Sequence, residues 1–460
     1  MNRFHKFMYS PYFNKNEKLI KLSDQLINDI KKKNAVKSKA ELWKIIGFVD
    51  KYIDLKFRKI CNDLLERFEN FLIVEKLEAD PLLKSNLLLT TLKENNLEIL
   101  IDKHISKTST IFKRSIDVSS DYFLQKYSYE KAIQNLKSRY QKKEDVKKYL
   151  DKESFNLLNI HIDAFYIIEK LRRAIDTITW NKQFKTEIEV DIKFIPQLIK
   201  GIELNKYPAI EIYWLIYKML TIENSEEVYF NLKEKAKKEI YGFPKSEQVE
   251  IFDALFSYCV QHVNRGNLDF YVEYLGIQDW GINEELILQK GILSPTSFRN
   301  YVIAGLRIGE YQRVEQYINK NIHLLESTRQ DNALNFNLAR VNFYKKNFNE
   351  TVSHLNKVSF DDIWYNLNSK SLLLAAYYEL DEIFVLDSTI ESYSTFLRRE
   401  KSIHDNYRKL HLNFVKFLRM ITKITNPNTK KVQSLKEKII AEKQCINKQW
   451  LLDKIDELPN

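Results

Sequence analysis

Glycine and proline are scarce in this chain, with 9 Gly and 8 Pro among 460 residues. So few breakers argue against disorder and leave too few tight turns for an all-β fold. Cysteine is scarcer still: Cys61, Cys259 and Cys445. Three distant thiols build no disulfide framework, and a reducing cytosol is the expected setting. Long apolar runs are also missing. The densest clusters, "YWLIYKML" and "SNLLLTTL", fall well short of the ~20 residues that span a bilayer. The opening "MNRFHKFMYSPYFNKNEKLI" has no apolar core of signal-peptide length. A soluble cytoplasmic protein with no membrane partner is the expectation. Glycine loops of the GxGxxG or GxxxxGK kind do not occur, nor do GxSxG or HExxH. The chain is therefore read as no enzyme, with no cofactor and no metal.

What is present is helix-forming. Hydrophobic residues make up 44% and charged residues 29%, and long stretches run without a breaker. Aromatics are plentiful, with 26 Tyr, 27 Phe and 6 Trp. The net charge of +11 is uneven: residues 1–60 carry +9, 61–160 carry +1, 161–395 carry −7 and 396–460 carry +8. Basic ends around an acidic middle are not the uniform coat of a nucleic-acid binder. Such ends suit nucleic acid, an acidic protein or the acidic middle of another copy. They equally suit plain solvated helix faces.

Apolar residues spaced three and four apart mark successive helices. These include "SYEKAIQNLKSRYQKKEDVKKYL", "FNLLNIHIDAFYIIEKLRRAI", "PAIEIYWLIYKML", "VYFNLKEKAKKEI" and "QVEIFDALFSYCVQHVNRG". Pro208 is placed to open a helix and Gly266 to stop one. The only plausible strand lies near Gly47. Farther along, a pattern recurs. Tyr311, Phe348 and Phe384 stand 37 and 36 residues apart, each after an apolar helix and a polar turn. Small residues precede them: Gly305, Ala339 and Ala375. Spacing near 34–37 residues is that of stacked helical hairpins, in which a small side chain permits close helix approach and a ring wedges neighbours. The pattern resembles the tetratricopeptide repeat, although Thr351 and Asp387 stand where that repeat prefers alanine.

Several segments, in order, resemble a family of uncharacterised Bacteroidetes proteins. They include "MYSPYFNKNEKLIKL", "SYCVQHVNRGNLDFY", "LSPTSFRNYVIAGLRIGEY", "NFNLARVNFYKKNFNETVSHLNKVSFDDIWYNLNSKSLLLAAYYEL" and the closing "QWLLDKI". The resemblance runs from about residue 8 to 455 and implies an α-helical repeat protein with no known activity. A second likeness concerns "SKAELWKIIGFVDKYIDLKFRKICNDLLERFENFLIV", residues 38–75. It is similar to the winged-helix segment of bacterial transcriptional activators that carry tetratricopeptide repeats. There the longer helix reads the DNA major groove. The likeness implies DNA contact through Lys56, Arg58, Lys59 and Asn62. "RFENFLIVEKLE", however, reads as more helix where a wing hairpin belongs. The alternative is a helical cap on the first repeat.

The expected fold is all-α: a superhelical array of helical hairpins, a tetratricopeptide-like solenoid with an N-terminal helical or winged-helix-like module. The expected divisions are 1–120 for that module, 121–296 for irregular hairpins, 297–400 for the repeats and 401–460 for capping helices. The expected role is a non-enzymatic scaffold for a protein partner. Arg299, Asn300, Tyr301, Arg307 and Arg313 form the candidate partner-binding set, able to grip an acidic or extended peptide. The alternative role is a transcriptional regulator with the basic N-terminus on DNA. Cys259 and His262 are read as core and core edge rather than a zinc site. His404 and His411 are read as surface residues. Asp361 and Asp362 are read as helix caps before "IWYNL".

Overall fold

The computed structural model describes residues 2–32, 37–114, 118–140, 152–359, 362–424 and 429–458. Among them every regular element is helical, apart from one isolated bridge between Gln289 and Ile292. No described helix is long and apolar enough to cross a membrane. The chain forms two compact units, Met1–Pro244 and Lys245–Asn460. Residues 297–400, expected to form the repeats, lie wholly in the second. The part of the charged helix expected at 128–150 that falls on 141–150 lies outside the described residues.

The first unit holds α1 (Asn2–Met8), α2 (Glu17–Lys32), α3 (Lys39–Ile45), α4 (Asp54–Ala79), α5 (Pro81–Glu94) and α6 (Glu98–Arg114). After them come α7 (Ser120–Tyr140), α8 (Lys152–Phe184), α9 (Ile195–Lys200), α10 (Pro208–Thr221) and α11 (Glu226–Glu239). Helix starts follow their sequence signals. Ser38 and Glu41 form a reciprocal capping box at α3, Asp80 caps α5 ahead of Pro81, and Pro208 opens α10. In the first core, Trp43 stacks on Phe48 with centroids 3.8 Å apart, and its Nε1 donates to the Asp50 carbonyl at 2.9 Å. Phe7, Leu22, Phe57 and Leu64 surround it. Near Gly47 there is no strand: the residue takes φ +96° and ends α3 in a turn. Nor does a wing hairpin follow α4, which runs unbroken to Ala79.

The second unit holds α12 (Lys245–Asn264), α13 (Asp269–Asn283), α14 (Pro295–Arg307), α15 (Tyr311–Asn321), α16 (Ser327–Tyr344) and α17 (Phe348–Leu355). It continues with α18 (Ile363–Glu379), α19 (Ile383–Arg399), α20 (Asp405–Thr422), α21 (Thr429–Ala441) and α22 (Lys448–Asp456). From α12 to α20 each helix packs on the next, and α14, α16 and α18 also touch in turn. Helices α12–α19 pair as four hairpins that share one turn. The second residue after each first helix is left-handed: Gly266 (φ +84°), Gly309 (+78°), Lys346 (+62°) and Asp381 (+56°). The following N–H then donates to a carbonyl one turn back: Asn267 to His262 at 3.1 Å, Glu310 to Gly305 at 2.9 Å, Asn347 to Asn342 at 2.8 Å and Glu382 to Tyr377 at 3.0 Å. This Schellman closure satisfies carbonyls that a helix end leaves without partners. Glycine enters the left-handed region without steric cost. Lys346 and Asp381 enter it against roughly 1 kcal/mol.

Aligning the hairpins on this turn corrects the expected register. Tyr311 and Phe348 do open α15 and α17, but their counterpart in the fourth hairpin is Ile383. Phe384 is 91% exposed and wedges nothing. Tyr311 and Phe348 are themselves only half-buried, resting on Tyr344 and Phe343 at 6.3 and 5.5 Å. The residues that fill the hairpins lie three positions farther on: Val314, Thr351 and Leu386, all buried. The small residues also fall out of register. A Cβ on Gly305 would meet Val314 Cγ2 at 2.3 Å, so close approach is real there. By the turn's hydrogen bond, however, Gly305 aligns with Asn342 and Tyr377, not with Ala339 and Ala375. Thr351 keeps its buried hydroxyl satisfied by donating to the Asn347 carbonyl at 3.1 Å, which explains how it replaces an alanine.

Candidate functional site

The five residues expected to grip a partner do not gather in one place. Tyr301 is buried and belongs to the hairpin interior, stacked on Tyr317 with centroids 3.5 Å apart. Arg313 donates from Nε to the Tyr301 hydroxyl at 3.1 Å and pairs with Asp279 at 2.7 Å. Burial and the Asp279 charge push the Tyr301 phenol well above its ordinary pKa, so the ring stays neutral. Arg307 lies over the Tyr271 ring at 5.3 Å, and Asn300 is exposed. Tyr301 and Arg313 therefore hold α13, α14 and α15 together and are not free to meet a ligand.

Arg299 goes elsewhere. It leaves α14 and lies over the Trp364 ring of α18, 4.8 Å from the centroid. Phe336 of α16 meets Trp364 and Tyr365 edge-on at 5.3 and 5.6 Å. One turn along α16, Arg340 lies 6.0 Å from the Phe336 centroid. The strip reads Arg299, Trp364, Phe336, Arg340 across α14, α16 and α18. Asp362 sets its edge by accepting from the Trp364 and Tyr365 N–H groups at 2.8 and 3.3 Å. That is the capping role expected of it; Asp361 lies outside the described residues. Among the described residues, neither Arg299 nor Arg340 has a carboxylate within ion-pair distance. Burial, and secondarily the charge of Arg299, lower the Arg340 guanidinium below its ordinary pKa.

Two cavities border this strip, one at Arg299 and one at Arg340. One, of about 200 Å³, is lined by Arg299, Arg329, Asn337, Asp362 and Trp364. Asn337 is 2% exposed, and its Oδ1 has no hydrogen-bond partner among the described residues. The other, of about 660 Å³, lies between α16–α18 and α22. Sequence reasoning found Arg299 but missed Arg340, Phe336 and Trp364. The signal was the i, i+4 spacing of Phe336 and Arg340 on one helix face.

In the first unit, Lys56, Arg58, Lys59 and Asn62 are all exposed on α4. Arg58 pairs with Asp54 at 2.7 Å, and Asp54 also accepts from the Tyr52 hydroxyl at 2.6 Å. Cys259 is buried, and His262 stacks on Phe270 at 4.1 Å, as a core and its edge should. His411 overturns its reading as a surface residue, being 1% exposed. The reason is geometric: His404 caps α20 from outside the helix, whereas His411 belongs to the stripe of Phe414, Val415 and Leu418. The Tyr393 hydroxyl donates to the Leu367 carbonyl at 2.9 Å, so the His411 Nδ1–H donates to Tyr393 at 2.8 Å. Burial lowers the His411 pKa to about 4.

No protein-family model, curated protein or solved structure matches this chain.

Proposed function

We propose that the protein is a non-enzymatic helical-repeat scaffold whose α14–α16–α18 strip holds an extended acidic segment of a protein partner. One observation carries this reading: among the described residues, Arg299 and Arg340 each lie over an aromatic ring without a carboxylate of their own. A half-buried cation already stripped of part of its water gains most from an incoming carboxylate, and guanidinium–carboxylate pairing is directional. The rings supply flat apolar area on which a peptide can lie. A cytoplasmic location fits three free cysteines. The likeness to Bacteroidetes repeat proteins agrees with a repeat scaffold and adds no chemistry.

The test is fluorescence anisotropy with a fluorescein-labelled peptide of alternating Glu and Gly. Arg299→Glu/Arg340→Glu should weaken binding at least tenfold with an unchanged circular dichroism spectrum. Equal binding by the double variant refutes the reading. The second reading, a regulator holding DNA through α4, rests on the exposed Lys56, Lys59 and Asn62. It requires duplex binding that falls steeply with salt and is lost in Lys56→Glu/Lys59→Glu.

A further inference from the structure

The 660 Å³ cavity beside Arg340 carries more than the scaffold reading asks of it. Its floor is apolar, from Leu372 and Ala375 of α18, and Phe348 and Tyr344 stand at its side. Its far wall is α22. Trp450 anchors that helix against Phe414 and Tyr378 at 6.1 and 5.5 Å, and donates from Nε1 to Glu379 at 2.7 Å. The charges around the cavity are not balanced. Glu379 is taken by Trp450 and Lys454, Glu457 by Lys454, and Asp453 accepts from Gln449 at 2.8 Å. Lys448 is spent on the Ile440 and Glu442 carbonyls. Among the described residues that leaves Arg340 and Lys346 as cations whose side chains make no hydrogen bond or ion pair.

We infer that this cavity is an anchor pocket for an aliphatic side chain of the bound acidic segment, with the carboxylate next to that side chain resting on Arg340 and Lys346. The inference rests on the scaffold reading and adds a specificity rule: acidity alone is not enough, and an apolar residue must adjoin the acid. A volume of this size is larger than any single side chain, so an aliphatic side chain enters it without clash and loses water against Leu372 and Ala375, beside a lining that carries four cations against three carboxylates.

Two labelled peptides decide it, one of alternating Glu and Gly, the other identical except for Leu in place of the central Gly. On the wild-type protein the Leu peptide should bind about tenfold tighter. Leu372→Trp, which covers the apolar floor, should cut that gain below twofold and leave the Gly peptide unaffected. Should Leu372→Trp lose its helical circular dichroism, Gln449→Trp on the exposed rim replaces it. Equal affinities on the wild type overturn the anchor while the scaffold reading stands. A Leu gain that survives the covered floor overturns it too. Binding of neither peptide refutes the scaffold reading and the anchor with it.

Discussion

Helix length separates the two units more than turn chemistry does. In Met1–Pro244, α4 has 26 residues and α8 has 33. Between α14 and α19 the longest helix has 18. The left-handed closure of the hairpins is present in both: Asn96 takes φ +56°, and the Leu97 N–H donates to the Leu92 carbonyl at 2.9 Å, between α5 and α6. What differs is how much side-chain surface each helix must cover. A long helix carries its apolar stripe past the end of its neighbour. On α4, Leu65, Phe68 and Leu72 stand on one stripe and stay 54%, 40% and 49% exposed. In the hairpins no helix exceeds 20 residues, and Ile383 and Phe384 stand exposed at the tip that starts α19. The same turn therefore serves both units, and helix length is what differs.

The sharpest test of that contrast is acid. The second unit's core is dry enough to hold His411 as a neutral imidazole. With a folded pKa near 4 against 6.5 when unfolded, the unfolded chain binds the extra proton first. The stabilisation is full above pH 6.5 and is lost as the pH falls toward 4, amounting to about 3 kcal/mol. Urea melts at pH 7 and pH 4 should differ by about that much more in wild type than in His411→Gln. Hydrogen exchange at pH 4 should place the loss within Lys245–Asn460. Equal pH dependence in the two proteins would mean the interior around Tyr393 is wet, and the contrast between units would weaken.

A smaller effect probes the helix contact itself. Gly305→Ala puts a Cβ 2.3 Å from Val314 Cγ2 and should cost about 2 kcal/mol. The double variant with Val314→Ala should recover at least half of that cost relative to Val314→Ala alone. Additive losses in thermal melts would show that the hairpin yields by backbone shift, so close approach would not be what sets its geometry.

Much of this was readable beforehand, and the failures share a cause. Helices announced themselves through three-and-four spacing, and Pro208, Gly266 and Asp362 acted as their types require. Helices pair in sequence order across 297–400, but the same turn also joins α12 to α13 upstream of that segment. Register did not survive, because Ile383 and Phe384 are adjacent apolar residues and only the backbone of Asp381 chooses between them. His411 was misread because His404 lies outside the helix, so their spacing of seven was never a helical one. The site was half visible. Arg299 stood out as a charge, but its worth depends on Trp364, which lies 65 residues away and reaches it only across α16. Arg340 is distinguished by having no carboxylate partner among the described residues, which no single-sequence pattern displays.

The smallest effect concerns the turns. Lys346 holds φ +62° with a full side chain, so Lys346→Gly removes the steric penalty and should gain about 0.5 kcal/mol net of the entropy glycine adds to the unfolded chain. Asp381→Gly should gain less, because a short polar side chain tolerates the left-handed region better than a lysine. In the first unit Asn96→Gly should gain least of all for the same reason. The order Lys346, Asp381, Asn96 in melting temperature is thus a prediction about backbone conformation alone, independent of which unit the turn serves. If the order instead followed the unit, with both second-unit variants shifting together and Asn96→Gly apart, the turns would be coupled through the stack of hairpins. Helix length would then not be the sole source of the difference between the two halves of the chain.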